Sequence, residues 1–122
     1  MKKIWITGAS SGIGKALAVK FANEGWQVAA SSRRENLLQE LNRKNSNIHP
    51  FPLDVTNLEN IKVLFENILR KIGDIDLCIF STGIYDPKIE KEINQKQMRN
   101  VIEVNFFGTI NCIKTVEKYF KE

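Results

Sequence analysis

The chain has 122 residues, room for one compact domain with a modest core and too few for two. Its 43% apolar and 26% charged residues suit a globular protein, and no apolar run approaches the length that spans a bilayer. The net charge of +4 comes from lysines scattered along helical faces, without the clustered charge and exposed aromatics of a nucleic-acid surface. It reads as a solvated surface or as a basic pocket for a phosphorylated ligand.

The first eight residues, MKKIWITG, hold two lysines and too short an apolar stretch for a secretory signal. They predict a first strand over Lys3–Thr7, and cytoplasmic residence is the default expectation. Gly12–Glu24 has helical spacing, with Ile13, Leu17, Ala18 and Phe21 on one face, and Gly25 stops it. Gln27–Ser31 is a second short strand. Glu35–Lys44 is helical, with Leu37, Leu38 and Leu41 as its stripe. Ile48–Leu53 predicts a third strand, made irregular by Pro50 and Pro52 and so placed at an edge. Thr56-Asn57-Leu58-Glu59 matches a capping box, with Thr56 as the cap. The helix behind it turns Ile61, Leu64, Phe65 and Ile68 inward and ends near Gly73. Leu77–Ser81 is a fourth strand whose unbroken apolar run suits cover on both faces. A polar segment, Thr82–Glu92, leads to a long helix from about Asn94 to Phe120, with Met98, Val101, Ile102, Ile110, Ile113 and Val116 inward.

Strands alternating with helices predict a parallel α/β sheet with helices on both faces. Right-handed crossovers give the strand order 3-2-1-4 and a single domain. The order reverses between strands 1 and 4, so a ligand crevice is expected at their carboxyl ends, between Thr7–Gly14 and Ser81–Tyr85. The two cysteines, Cys78 and Cys112, lie in apolar contexts outside any Cys-x-x-Cys pair and read as buried free thiols. His49 is the one histidine, so no His-centred triad or histidine-rich metal site competes for the crevice.

The loop TGASSGIG carries the sharpest signal. A glycine-rich turn between a strand and a helix offers unpaired N–H donors to an anion, and its glycines let the backbone approach a pyrophosphate. Ser10 and Ser11 add hydroxyls. The alternative, a plain tight turn, loses ground because the loop directly follows the first strand and opens the first helix. The spacing Thr7-Gly8-x-x-x-Gly12-x-Gly14 departs from the usual Gly-x-Gly-x-x-Gly dinucleotide pattern. It resembles the short-chain dehydrogenase/reductase family, in its Thr-Gly-x-x-x-Gly-x-Gly group. The epimerase-like group needs a glycine where Ser11 stands.

Other residues match that family in order. Asp54 resembles its adenine-contacting aspartate, with Val55 beside it; a turn residue ahead of the Thr56 cap is the plainer alternative. Gly83 falls where the family has Asn-Asn-Ala-Gly, although Phe80, Ser81 and Thr82 replace the first three residues. Asn105, in VNFFGT, resembles the helix asparagine of the catalytic group. Ser32, at the end of strand 2, takes the place of the acidic residue of NAD-preferring relatives, and Arg33 follows it. This resembles the NADP-preferring pattern, with Arg33 on the 2′-phosphate and Arg34 stacking on adenine.

The resemblance implies a Rossmann-like dinucleotide domain that binds NADP(H) in preference to NAD(H). It also implies hydride transfer between the nicotinamide and a small carbonyl or alcohol. The expected cofactor contacts are Gly8, Ser10, Ser11, Gly12, Ile13, Gly14, Arg33, Arg34, Asp54, Val55, Ser81, Thr82 and Gly83, and the expected catalytic residue is Asn105. No metal, membrane or nucleic-acid partner is expected. The family's Tyr-x-x-x-Lys is not in this sequence. Its two tyrosines are Tyr85, followed four residues later by Ile89, and Tyr119, near the last residue. The expectation is therefore the amino-terminal half of the family fold, with strand 4 as an exposed apolar edge and the long helix available for homo-oligomer contacts. Two alternatives stay open. One is a non-catalytic NADP(H)-binding module completed by a partner chain. The other is a small basic interaction domain.

Overall fold

The computed structural model describes residues 1–84 and 94–121. Tyr85 and most of the polar segment expected over Thr82–Glu92 lie outside them. In chain order the elements are β1 (Lys3–Thr7), α1 (Gly12–Asn23), β2 (Gln27–Ser31), α2 (Glu35–Lys44), β3 (Ile48–Pro50), α3 (Leu58–Ile72) and β4 (Leu77–Phe80). A broken helix follows: α4 (Gln95–Ile102), a π-helical turn (Glu103–Phe107) and α5 (Gly108–Lys121). The four strands are parallel in the order β3-β2-β1-β4, as the alternation and handedness rules predict.

Side chains alternate across the sheet and build two cores. Ile4, Ile6, Val28 and Ala30 pack with Ala18 and Ala22 of α1 and Leu38 and Leu41 of α2. On the opposite face, Trp5 and Ala29 pack with Ile61, Phe65 and Ile68 of α3 and Val104, Cys112 and Val116 of the broken helix. The Trp5 indole N–H donates to Ser31 Oγ at 2.9 Å, so its polar edge is satisfied inside the core. Gly25, at φ +91°, reverses the chain after α1 in a conformation that favours glycine.

Several expectations need correction. The regular part of β3 ends at Pro50 rather than Leu53. Pairing nevertheless continues: Phe51 N donates to Ala30 O at 2.8 Å and Leu53 N to Ser32 O at 2.9 Å. The prolines alternate with these donors, which is how an edge segment accommodates them. The α3 cap is Asn57, not Thr56. Asn57 Oδ1 accepts from Asn60 N at 3.2 Å, while the Thr56 hydroxyl is occupied by Asp54 Oδ1 at 2.7 Å. Asn57→Ala should therefore cost about 1 kcal/mol in a urea-denaturation experiment. A loss within about 0.3 kcal/mol would return the cap to Thr56.

β4 pairs with β1 alone among the described residues, and Cys78, Ile79 and Phe80 are half-buried rather than covered on both faces. Cys112 is buried, but Cys78 is only half-buried. Desolvation pushes both thiols up to about 12, with Cys112 adding to the effect on Cys78, so both stay protonated and unreactive at neutral pH.

The final helix is the largest departure. Its π turn inserts an extra residue, and the stripe facing the sheet runs through Val104, Gly108, Cys112 and Val116. Of the residues expected inward, Val116 is buried and Val101 half-buried, while Met98, Ile102, Ile110 and Ile113 are exposed. They form a second apolar stripe with Phe106, on the outer side. Both stripes have helical spacing, so periodicity alone did not separate them. Ile13 is a further correction: it is 75% exposed rather than packed inward on α1.

Candidate functional site

β1 and β4 end side by side, where Ser81 N donates to Thr7 O at 3.2 Å. A cleft of ≈ 590 Å³ opens at this carboxyl edge of the sheet. It is bounded by the glycine loop, the end of β2, the segment after β3 and the segment after β4. This is the reversal point that the strand order predicts for a ligand.

The glycine loop is built by three different constraints. Gly8 has φ +69°, and a Cβ there would lie 2.6 Å from the Ser81 carbonyl oxygen, so this position seals β1 against β4. A Cβ on Gly14 would collide with the Gly8 carbonyl, so Gly14 lets α1 settle on the loop. Gly12 differs. At φ +57° its missing Cβ would meet nothing within 4 Å, and the residue lines the cleft. That free space, at the start of a helix whose Ser11 makes no side-chain cap and whose first turn has no acidic residue, fits an anion. Ala9 N anchors the loop to Ser31 O at 3.1 Å.

Gly8, Ser10, Ser11, Gly12, Ile13, Arg33, Arg34, Asp54, Val55, Ser81, Thr82 and Gly83 all line the cleft. Gly14 does not; it is buried beneath the loop. Ile13 is exposed because it faces the cleft instead of the core. Asn105 is also outside the lining. Its Oδ1 accepts from Ile84 N at 2.6 Å and its Nδ2 donates to Ile84 O at 2.9 Å, a two-bond grip on the segment after β4. The π turn carries this asparagine, a local distortion of the kind often found at functional positions. Ile84, inside the Ser81–Tyr85 loop expected at the crevice, lines the cleft as well; Leu53 and Val104 also line it and were missed in the sequence, where nothing local distinguishes them from core residues.

Charge is distributed along the cleft. Arg33 and Arg34 stand exposed at one rim, and the Arg34 backbone N–H donates to Ser32 Oγ at 3.1 Å, fixing the turn that presents them. The Asp54 carboxyl is held below its ordinary range. The Thr56 backbone N–H contributes most and the Thr56 hydroxyl next; partial burial opposes them, and Arg33 adds a smaller attraction. Asp54 is thus a carboxylate at neutral pH and an acceptor at the cleft wall. Thr7 Oγ1, on the cleft floor, is buried without a hydrogen-bond partner among the described residues.

The short chain dehydrogenase family model matches residues 2–122. The chain belongs to that family, a family of oxidoreductases. It is 31% identical over 126 residues to a glucose 1-dehydrogenase of Gluconobacter oxydans, covering 99% of this chain and 47% of that protein. A short-chain dehydrogenase of Bacillus anthracis superposes with a TM-score of 0.86 at 30% identity, over 98% of this chain and 50% of the other. ElxO, in a structure holding NADP, gives a TM-score of 0.86 at 28% identity, over 98% and 50%. The chain thus spans about half the length of the curated relatives it matches. Among the described residues, no helix is long and apolar enough to cross a membrane.

Proposed function

We propose that this chain binds NADP(H) in the cleft and forms the cofactor-binding part of a dehydrogenase or reductase acting on a small carbonyl or alcohol. The observation that carries it is the open space at Gly12, at a helix start without a side-chain cap, in a cleft that two arginines also line. The N–H groups that begin α1 and the Ser10 and Ser11 hydroxyls would take the pyrophosphate. Arg33 would pair with the 2′-phosphate and Arg34 would stack on adenine. Asp54 would accept from the adenine amine beside Val55. Ser81, Thr82 and Gly83 would border the nicotinamide ribose, with Asn105 holding the adjoining Ile84 backbone in place. When bound, the cofactor supplies a hydride donor or acceptor. The protein's own work in this half is to orient that ring and to neutralise phosphate charge.

A second reading keeps the cofactor and drops the turnover. Here a partner chain supplies the proton-transferring groups. The open edge of β4 and the outer apolar stripe of α4 and α5 favour it, since both offer surface for further polypeptide or a second copy. Titration with NADPH, followed by nicotinamide fluorescence, tests what both readings share. Saturable binding is expected, and no binding at near-millimolar cofactor overturns both. Turnover of simple carbonyl compounds by this chain alone would reject the second.

A further inference from the structure

The cleft wall at Asp54 and Val55 is held by a residue of α5 that lies outside the cleft. Asn111 is half-buried on the inner side of that helix, between Gly108 and Cys112. Its Nδ2 donates to the Val55 carbonyl oxygen at 3.1 Å. The N–H of the same peptide group, on Thr56, donates to Asp54 Oδ1 at 3.0 Å, and the Thr56 hydroxyl donates to that oxygen at 2.7 Å. A single peptide plane is therefore gripped from both sides, by the Asn111 amide at its carbonyl and by the Asp54 carboxylate at its N–H.

Gly108 makes the grip reachable. A Cβ there would lie 2.5 Å from Val55 Cγ2, so only glycine lets α5 come close enough for the short Asn111 side chain. A carbonyl that accepts a hydrogen bond also makes its own N–H a better donor, so the Asn111 bond strengthens the one that Asp54 receives. With Oδ1 taken by two donors, Oδ2 is the oxygen that keeps its acceptor capacity on a residue that lines the cleft.

We propose that Asn111 is a positioning residue that aims the Asp54 carboxylate, through the Val55–Thr56 peptide, at the exocyclic amine of a 6-aminopurine. It thereby sets a preference for adenine over 6-oxopurine nucleotides. This rests on the cofactor reading above, but one arm of its test does not.

In the first arm, NADPH and its hypoxanthine analogue are titrated against the unsubstituted chain and Asn111→Leu. The unsubstituted chain should prefer NADPH by roughly tenfold or more, the worth of one hydrogen bond to a charged group. Asn111→Leu should lose most of that preference while binding the analogue about as well as before. Equal weakening of both cofactors, or an unchanged preference, overturns the proposal.

The second arm needs no cofactor. The Asp54 carboxyl is titrated by NMR in the unliganded chain, and Asn111→Leu should move its pKa upward, toward the ordinary aspartate value. Asn111→Ala removes the donor without adding a charge and should do the same, which covers the case in which the leucine variant does not fold. An unmoved Asp54 pKa overturns the proposal even if NADPH binds. A moved pKa in a chain that binds neither nucleotide upholds the Asn111–Asp54 coupling and overturns the cofactor reading with its purine preference.

Discussion

Gly8→Ala is expected to destabilise the chain by about 2–5 kcal/mol, out of a total that for such domains is about 5–15. Two costs add. The native φ of +69° is one that residues with a Cβ adopt at roughly 1–2 kcal/mol. The new methyl would also lie 2.6 Å from Ser81 O, 2.7 Å from Ser81 C and 2.8 Å from Thr82 N. All three are backbone atoms, so no side chain can swing aside. Relief requires β4 to part from β1 at the bond between Ser81 N and Thr7 O, an overpacking cost of roughly 1–3 kcal/mol. The urea midpoint should fall with the slope of the transition unchanged.

Gly12→Ala is the control. It meets nothing within 4 Å and should pay only the backbone cost of about 1 kcal/mol, yet its methyl enters the proposed pyrophosphate site. Stability should mostly survive in that variant and NADPH binding should not. A Gly8→Ala chain within about 0.5 kcal/mol of the original would mean that the loop does not seal β1 to β4 as described.

The same loop shows what a sequence makes legible. Gly12 and Gly14 are recognisable because their constraints are local, set by a turn between adjacent elements, whereas Gly8, pressed against Ser81 of the neighbouring strand end, is legible only through the spacing it shares with them. The β-α alternation is legible for a similar reason, since each element announces its own period and the handedness of crossovers does the rest. Part of what escaped depends on distance along the chain. Asn111 meets Val55 across 56 positions, and no local pattern marks a polar residue on an inner helix face as a partner for a carbonyl. Thr56 had the right spacing for a cap, but its hydroxyl turns to donate to Asp54, two residues earlier, and Asn57 accepts from the Asn60 N–H instead. The final helix carries two apolar stripes, and the π turn decides which one meets the sheet. Exposed Ile102, Phe106, Ile110 and Ile113 have the spacing of core residues without being core, because in this chain nothing described covers them.

Arg33→Ala should weaken NADPH binding by roughly 10- to 100-fold and leave NADH within about threefold, since a charge-assisted hydrogen bond is worth about 1.5–3 kcal/mol. The two cofactors differ only at the 2′ position of the adenosine ribose, so any term from the glycine loop or from Asp54 cancels in the comparison. Arg33 stands exposed at the cleft rim, and the turn that presents it is held by the Arg34 N–H on Ser32 Oγ at 3.1 Å. Being exposed, its advantage for NADPH should also shrink as salt rises. Arg33 contributes only the smallest of the effects that lower the Asp54 pKa, so its loss leaves that carboxylate ionised at neutral pH at the cleft wall. Adding Ser32→Asp to Arg33→Ala should then invert the preference. A carboxylate at the end of β2 accepts from a free 2′-hydroxyl and repels a 2′-phosphate. Equal losses for NADPH and NADH in the single variant would show that Arg33 acts on the fold of the rim and not on the phosphate.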